Sequence, residues 1–77
     1  MSDFIKTIDV RLYDVKDKYT TISENFTGLT TGETIEIIND NDLRVVHYQF
    51  LIELADKFEW QYIEEGPEVW RVAITKK

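Results

Sequence analysis

The sequence predicts an α+β fold: a two-layer sandwich with β-α-β-α-β-β order, in which two helices cover one face of a four-stranded mixed sheet. Three observations predict it. Four segments alternate apolar and polar residues at a period of two, and two segments between them carry apolar residues at helical spacing. Two helices have area for only one face of such a sheet, so the other face is expected to be open and polar. The length of 77 residues and 43% hydrophobic content fit one compact domain over 1–77.

Residues 4–12 alternate as a first strand, with Ile8, Val10 and Leu12 on one side and Thr7, Asp9 and Arg11 on the other. In the helix that follows, Tyr19, Ile22, Phe26 and Leu29 form one stripe. Asp17 is placed to cap its start, and Gly28 to end it in the left-handed conformation. Thr31-Gly32 turns the chain into a second strand over 33–39, where Ile35, Ile37 and Ile38 give the β-branched density of a buried strand. Asn39-Asp40-Asn41-Asp42 is a polar break, and Asp42 is placed to accept backbone N–H groups at the start of the second helix.

On that helix Leu43, Val46, Phe50 and Leu54 make the main apolar stripe, with His47 and Leu51 at its edge. Val45, Tyr48, Ile52 and Ala55 lie on nearly the opposite side. A helix apolar on two sides is buried on two sides or binds something. The Tyr48 and Ala55 flank is expected to meet the first helix near Phe26, leaving Val45 and Ile52 open. Residues 57–63 and 69–75 then alternate as two strands joined by Glu64-Glu65-Gly66-Pro67-Glu68, a turn by composition. Phe58, Trp60 and Tyr62 share a side with Trp70, Val72 and Ile74, the aromatic part of the core. The open face is expected to carry Asp9, Arg11, Glu36, Glu59, Gln61 and Arg71.

The net charge of -6 comes from 15 acidic residues against 9 basic ones. Nucleic acid is therefore not expected as a partner, because phosphate binding draws on concentrated Lys and Arg. With no cysteine, disulfides, thiolate catalysis and cysteine metal sites are excluded. Apolar runs such as Phe50-Leu51-Ile52 are too short to span a bilayer, and Met1-Ser2-Asp3 has no basic flank of a leader, so a cytoplasmic, non-membrane protein is expected. A core of this size leaves little room for a deep dry cavity, so any ligand is expected on a face or in a shallow groove.

Several segments carry a family resemblance: Asp9-Val10-Arg11, Leu29-Thr30-Thr31-Gly32-Glu33, Asn39-Asp40, Tyr48-Gln49-Phe50, and above all Tyr62 to Val72, YIEEGPEVWRV. On these the chain resembles the TusA/SirA-like sulfur-carrier superfamily, and more closely a branch of uncharacterised bacterial domains often found alone or beside hemerythrin-like domains. The resemblance implies the same β-α-β-α-β-β order. It also implies where the carrier chemistry would sit, at a Cys-Pro-x-Pro signature before the first helix, whose dipole stabilises a thiolate. Counting back without gaps from Gly32-Glu33, the cysteine falls on Val15 and the prolines on Lys16 and Lys18. Persulfide transfer by this chain is thus chemically impossible. The branch's histidines, near the start of the first helix and after the second strand, correspond here to Tyr19 and to Asn41-Asp42-Leu43.

The remaining candidates weigh against plainer roles. His47 has no carboxylate or imidazole three or four residues away, so a rim histidine bonded to backbone is preferred over a metal or acid/base role. Asp40 and Asp42 lack the Gly and terminal Glu of a Ca²⁺ loop, so helix capping is preferred. Arg11 and Arg71 are the candidate anion contact, set against pairing with Asp9, Glu36 or Glu59. Trp60 and Trp70 could stack a planar ligand, but the core needs their area. Val45, Tyr48, Ile52, Glu64 and Glu65 are the candidate partner contacts, the glutamates as an acidic patch at the hairpin tip.

The sequence therefore points to a non-catalytic accessory or protein-interaction module, a monomer with an unidentified protein partner, no cofactor and no enzymatic activity. The alternative is a small-ligand or metal binder in redox or nitrogen-oxide metabolism, which rests on the hemerythrin-like neighbours that the resemblance implies.

Overall fold

The computed structural model describes residues 4–77, so the leader expectation on Met1-Ser2-Asp3 lies outside the described residues. The element order is β1 (Phe4–Asp9), α1 (Val15–Thr27), β2 (Thr34–Asn39), α2 (Arg44–Leu54), β3 (Phe58–Glu65) and β4 (Trp70–Lys76). The strands form one sheet in the order β1-β2-β4-β3. β1 and β2 run parallel, and β4 is antiparallel to both β2 and β3. This is the α+β arrangement the periodicities predict.

Both helices cover the same face. Ile22 and Phe26 of α1 and Val46 and Phe50 of α2 share one buried cluster with Ile35, Ile37, Val72 and Ile74 of the central strands. Phe50 is its hub, meeting Tyr19, Phe26, Phe58 and Trp60 edge-on with ring centroids 5.3–5.9 Å apart. Edge-to-face packing places each positive ring edge on a negative face, which adds to the burial itself.

The open face is polar and internally paired. Glu36 is nearly buried there: Thr7 Oγ1 donates to its Oε1 at 2.8 Å, and Arg71 Nε lies 3.2 Å from its Oε2. The Thr34 and Thr75 hydroxyls, on paired strand positions, bond to each other at 2.7 Å.

Element ends depart from expectation where pairing decides them. β1 stops at Asp9, paired with Ile38 one residue before β2 ends at Asn39; Val10 N still bonds Ile38 O, and Tyr13 N then turns back to Val10 O, taking the chain off the sheet. Leu12 is consequently 99% exposed instead of joining the core, and Arg11 sits in the turn, off the sheet. α1 begins at Val15, before Asp17. Asp14 is the N-cap, its carbonyl accepting from the amides of Asp17 and Lys18 while its side chain makes no cap bond. Gly28 keeps a right-handed conformation (φ -76°), because the helix end is closed by Leu29 N bonding Phe26 O. Positive φ falls instead on Gly32 (φ 93°), in the turn where Gly32 N bonds Lys76 O, and on Gly66 (φ 72°).

The last hairpin is tighter than its composition suggests. Glu64 and Glu65 belong to β3, opposite Arg71 and Trp70, and the register slips by one residue between Tyr62 and Glu64. The connection is 66–69, closed by Gly66 N bonding Val69 O and containing a cis Gly66-Pro67 bond. Trp70 is not in the core cluster: its indole lies against Gly66 at the hairpin.

Candidate functional site

Because β1 and β2 are parallel, the helices that follow them begin at the same end of the sheet. Loop residues 10–14 lead into α1 and 40–43 into α2, and between the two helix starts lies a cleft of about 420 Å³. Val15, Tyr19, Leu43, Val45 and Val46 supply its apolar lining, and Lys16, Lys18, Asn39, Asn41, Asp42 and Gln49 its polar groups. Lys18 reaches back from α1, and its nearly buried side chain donates to Asn39 Oδ1 at 2.7 Å, with Asp40 Oδ1 farther off at 3.5 Å. Asp42 is turned to α2 but is not its cap, which is Leu43: one residue earlier, its carboxylate accepts from Arg44 N at 3.0 Å and from the Arg44 guanidinium and Tyr62 hydroxyl at 3.3 Å. A second hollow of about 330 Å³, by the far end of α1, is more open and has Glu24 and Glu33 on its rim.

Beside the cleft stands the outward face of α2. Val45 is 70% exposed, Tyr48 59% and Ile52 81%, a stripe opposite the buried Val46 and Phe50. The expectation that the Tyr48 flank meets α1 is overturned. α1 approaches the other flank, where Tyr19 donates to Glu53 Oε1 at 2.6 Å and its ring meets Phe50 edge-on. Tyr48 is thereby left free with Val45 and Ile52. Leu51, at the edge of the core stripe, is also 48% exposed.

Residues 7–76, from within β1 to the end of β4, match the family described as Uncharacterized conserved protein (DUF2249). The chain belongs to this family. No curated protein and no solved structure matches it. In this DUF2249 chain Val15, where the resemblance puts the carrier cysteine, is the first residue of α1 and stands exposed on the cleft wall.

The arginines singled out in the sequence are each engaged separately. Arg11 grips Asp9 two residues back, its guanidinium 2.6–3.1 Å from both carboxylate oxygens, and this bond holds Asp9 below the usual carboxylate range. Arg71 lies between Glu36 and Glu64, 3.2 and 3.7 Å from their oxygens. Glu64 is thus engaged on the open face, while Glu65 stands exposed at the end of β3.

Among the described residues no cluster of His, Cys, Asp or Glu could hold a metal ion. Likewise, no helix among them is long and apolar enough to cross a membrane. Burial and the bond to Glu53 push the Tyr19 hydroxyl up to about 12, so it stays protonated and acts as a donor.

His47 is held differently from the backbone-bonded rim histidine expected. Its ring stacks on Trp60 at 4.4 Å and 8° and meets Phe58 edge-on, so ring packing fixes it. Burial lowers its pKa. The unfolded chain, near the ordinary value of about 6.5, then binds the proton more readily than the folded one. Stability from neutral His47 is present above that value and is lost as pH falls through the lower folded pKa. Melting temperature followed across this window should fall less steeply for His47→Gln than for the parent. Parallel slopes in parent and variant would refute this linkage.

Proposed function

We propose that this domain is a non-catalytic protein-interaction module that docks a protein partner through the outward face of α2. The observation that carries it is the stripe of Val45, Tyr48 and Ile52, three large apolar side chains side by side and each more than half exposed. Single exposed apolar residues are ordinary, but a contiguous stripe on one helix keeps apolar area in water at a cost of about 25 cal/mol per Å², which a partner would recover. A helix presenting such a stripe is the usual ligand of an apolar groove.

Kinship with the TusA-like carriers is part of this proposal. The element order and the place of Val15 at the start of α1 support it, and the missing cysteine turns the scaffold from chemistry to binding. Glu65 adds exposed negative charge that would favour a basic rim on the partner.

Ile52→Glu tests the proposal. The site is 81% exposed, so the variant should fold within about 1 kcal/mol of the parent by urea denaturation. Immobilised parent should retain from source lysate a protein that Ile52→Glu and Val45→Glu both lose and that a Glu33→Gln control keeps. Equal retention by parent and both α2 variants would sink the docking face.

A further inference from the structure

We propose that the cleft between the starts of α1 and α2 binds a small amphipathic organic anion, a carboxylate carried on a short apolar body. Charge placement is the first reason. In a chain of net charge -6, Lys16 and Lys18 both stand in the first turn of α1 and both line this cleft. A helix start already carries a partial positive charge, so cations there are opposed by the macrodipole. Asp17 is the only acid in that turn.

The lysines' own partners leave this charge poorly balanced. Lys18 is 89% buried at its side chain, yet its best acceptor is the neutral amide oxygen of Asn39, itself 3% exposed. The nearest carboxylate, Asp40, is 3.5 Å away and also accepts from Asn41. Lys16 forms no ion pair among the described residues. Asp40 does pair with Lys18, but at 3.5 Å and shared with Asn41, a longer contact than a cation this far out of water usually has.

The lining decides what kind of anion. Val15, Leu43, Val45 and Val46 give the cleft an apolar wall that a fully hydrated inorganic ion would not use, whereas a ring or short alkyl chain would cover it. Asp42 borders the same space, and its charge, though bonded to Arg44 and Tyr62, disfavours a dianion relative to a monocarboxylate. The volume of about 420 Å³ lies within the range of small-molecule sites. Val45 belongs both to this wall and to the outer stripe of α2, so a bound anion would sit at the edge of the docking face.

The test is an amide chemical-shift titration of the whole chain with phenylacetate, with phenylacetamide and inorganic phosphate run in parallel. Phenylacetate should move the Val15, Lys18, Asn39 and Gln49 signals saturably, with Kd of about 1 mM or tighter. The neutral amide and phosphate should each bind about tenfold more weakly, because the first lacks the charge and the second the apolar body. Lys18→Met should weaken phenylacetate about tenfold. Since Lys18 also holds Asn39, the exposed Lys16→Met is the second variant, expected to weaken binding a few-fold without changing stability. Any of three results overturns the proposal: no saturable shift at the cleft, phenylacetamide or phosphate binding as tightly as phenylacetate, or both lysine variants binding like the parent.

Discussion

Replacing Phe50 by alanine should destabilise the fold by about 3–5 kcal/mol, the range for removing a fully buried phenylalanine. Phe50 is wholly buried and is the ring on which α1, α2 and β3 meet, through Tyr19, Phe26, Phe58 and Trp60. Those four rings are anchored in pairs, two on α1 and two on β3, and the pairs cannot collapse together into the gap, so a cavity would persist. Small domains have about 5–15 kcal/mol in total, so the variant should populate the unfolded state at modest urea. Phe50→Leu, which refills most of the space, should recover more than half of the loss. A midpoint shift for Phe50→Ala no larger than that for Phe50→Leu would show that the core relaxes around the missing ring.

Gly66→Ala should cost about 2–4 kcal/mol, from placing alanine at a positive φ and from crowding. The backbone there has φ +72°, and a Cβ would stand 2.7 Å from Trp70 Cζ2. Trp70 would have to leave its seat on the hairpin, which should alter tryptophan fluorescence along with the urea midpoint. Gly28→Ala is the contrast. It has a right-handed φ and meets nothing closer than 3.8 Å, so it should be neutral or stabilising by up to about 1 kcal/mol. Equal effects of the two substitutions would contradict both backbone assignments.

Much of this fold was legible because its signals are local. Ile22 and Phe26 at helical spacing, Ile35 and Ile37 at strand spacing, and Trp60 and Tyr62 opposite Val72 and Ile74 declare their element and their buried side within a few residues. Element ends were harder, since an end depends on whether a partner is still alongside. Leu12 continues the alternation of β1 and still stands in solvent, because the turn back to Val10 has taken the chain off the sheet. Glu64 and Glu65 look like turn residues and are strand, because Arg71 and Trp70 lie opposite them. His47 shows the same limit, as its neighbours along α2 gave no hint of the Trp60 stack.

The exposed stripe of α2 follows from the sequence: once Val46 and Phe50 face the sheet, helical geometry turns Val45 and Ile52 outward. Whether Tyr48 joins them was set by the direction from which α1 arrives, and α1 came to the Phe50 and Glu53 flank. The cleft is wholly tertiary. Lys18, Asn39 and Val45 are spread along the chain, and they converge because two parallel strands deliver two helix starts to one end of the sheet. Local periodicity can specify which side of a strand or helix is buried, but the meeting of two helix starts depends on the pairing direction of β1 and β2, a long-range choice that no short window of residues contains.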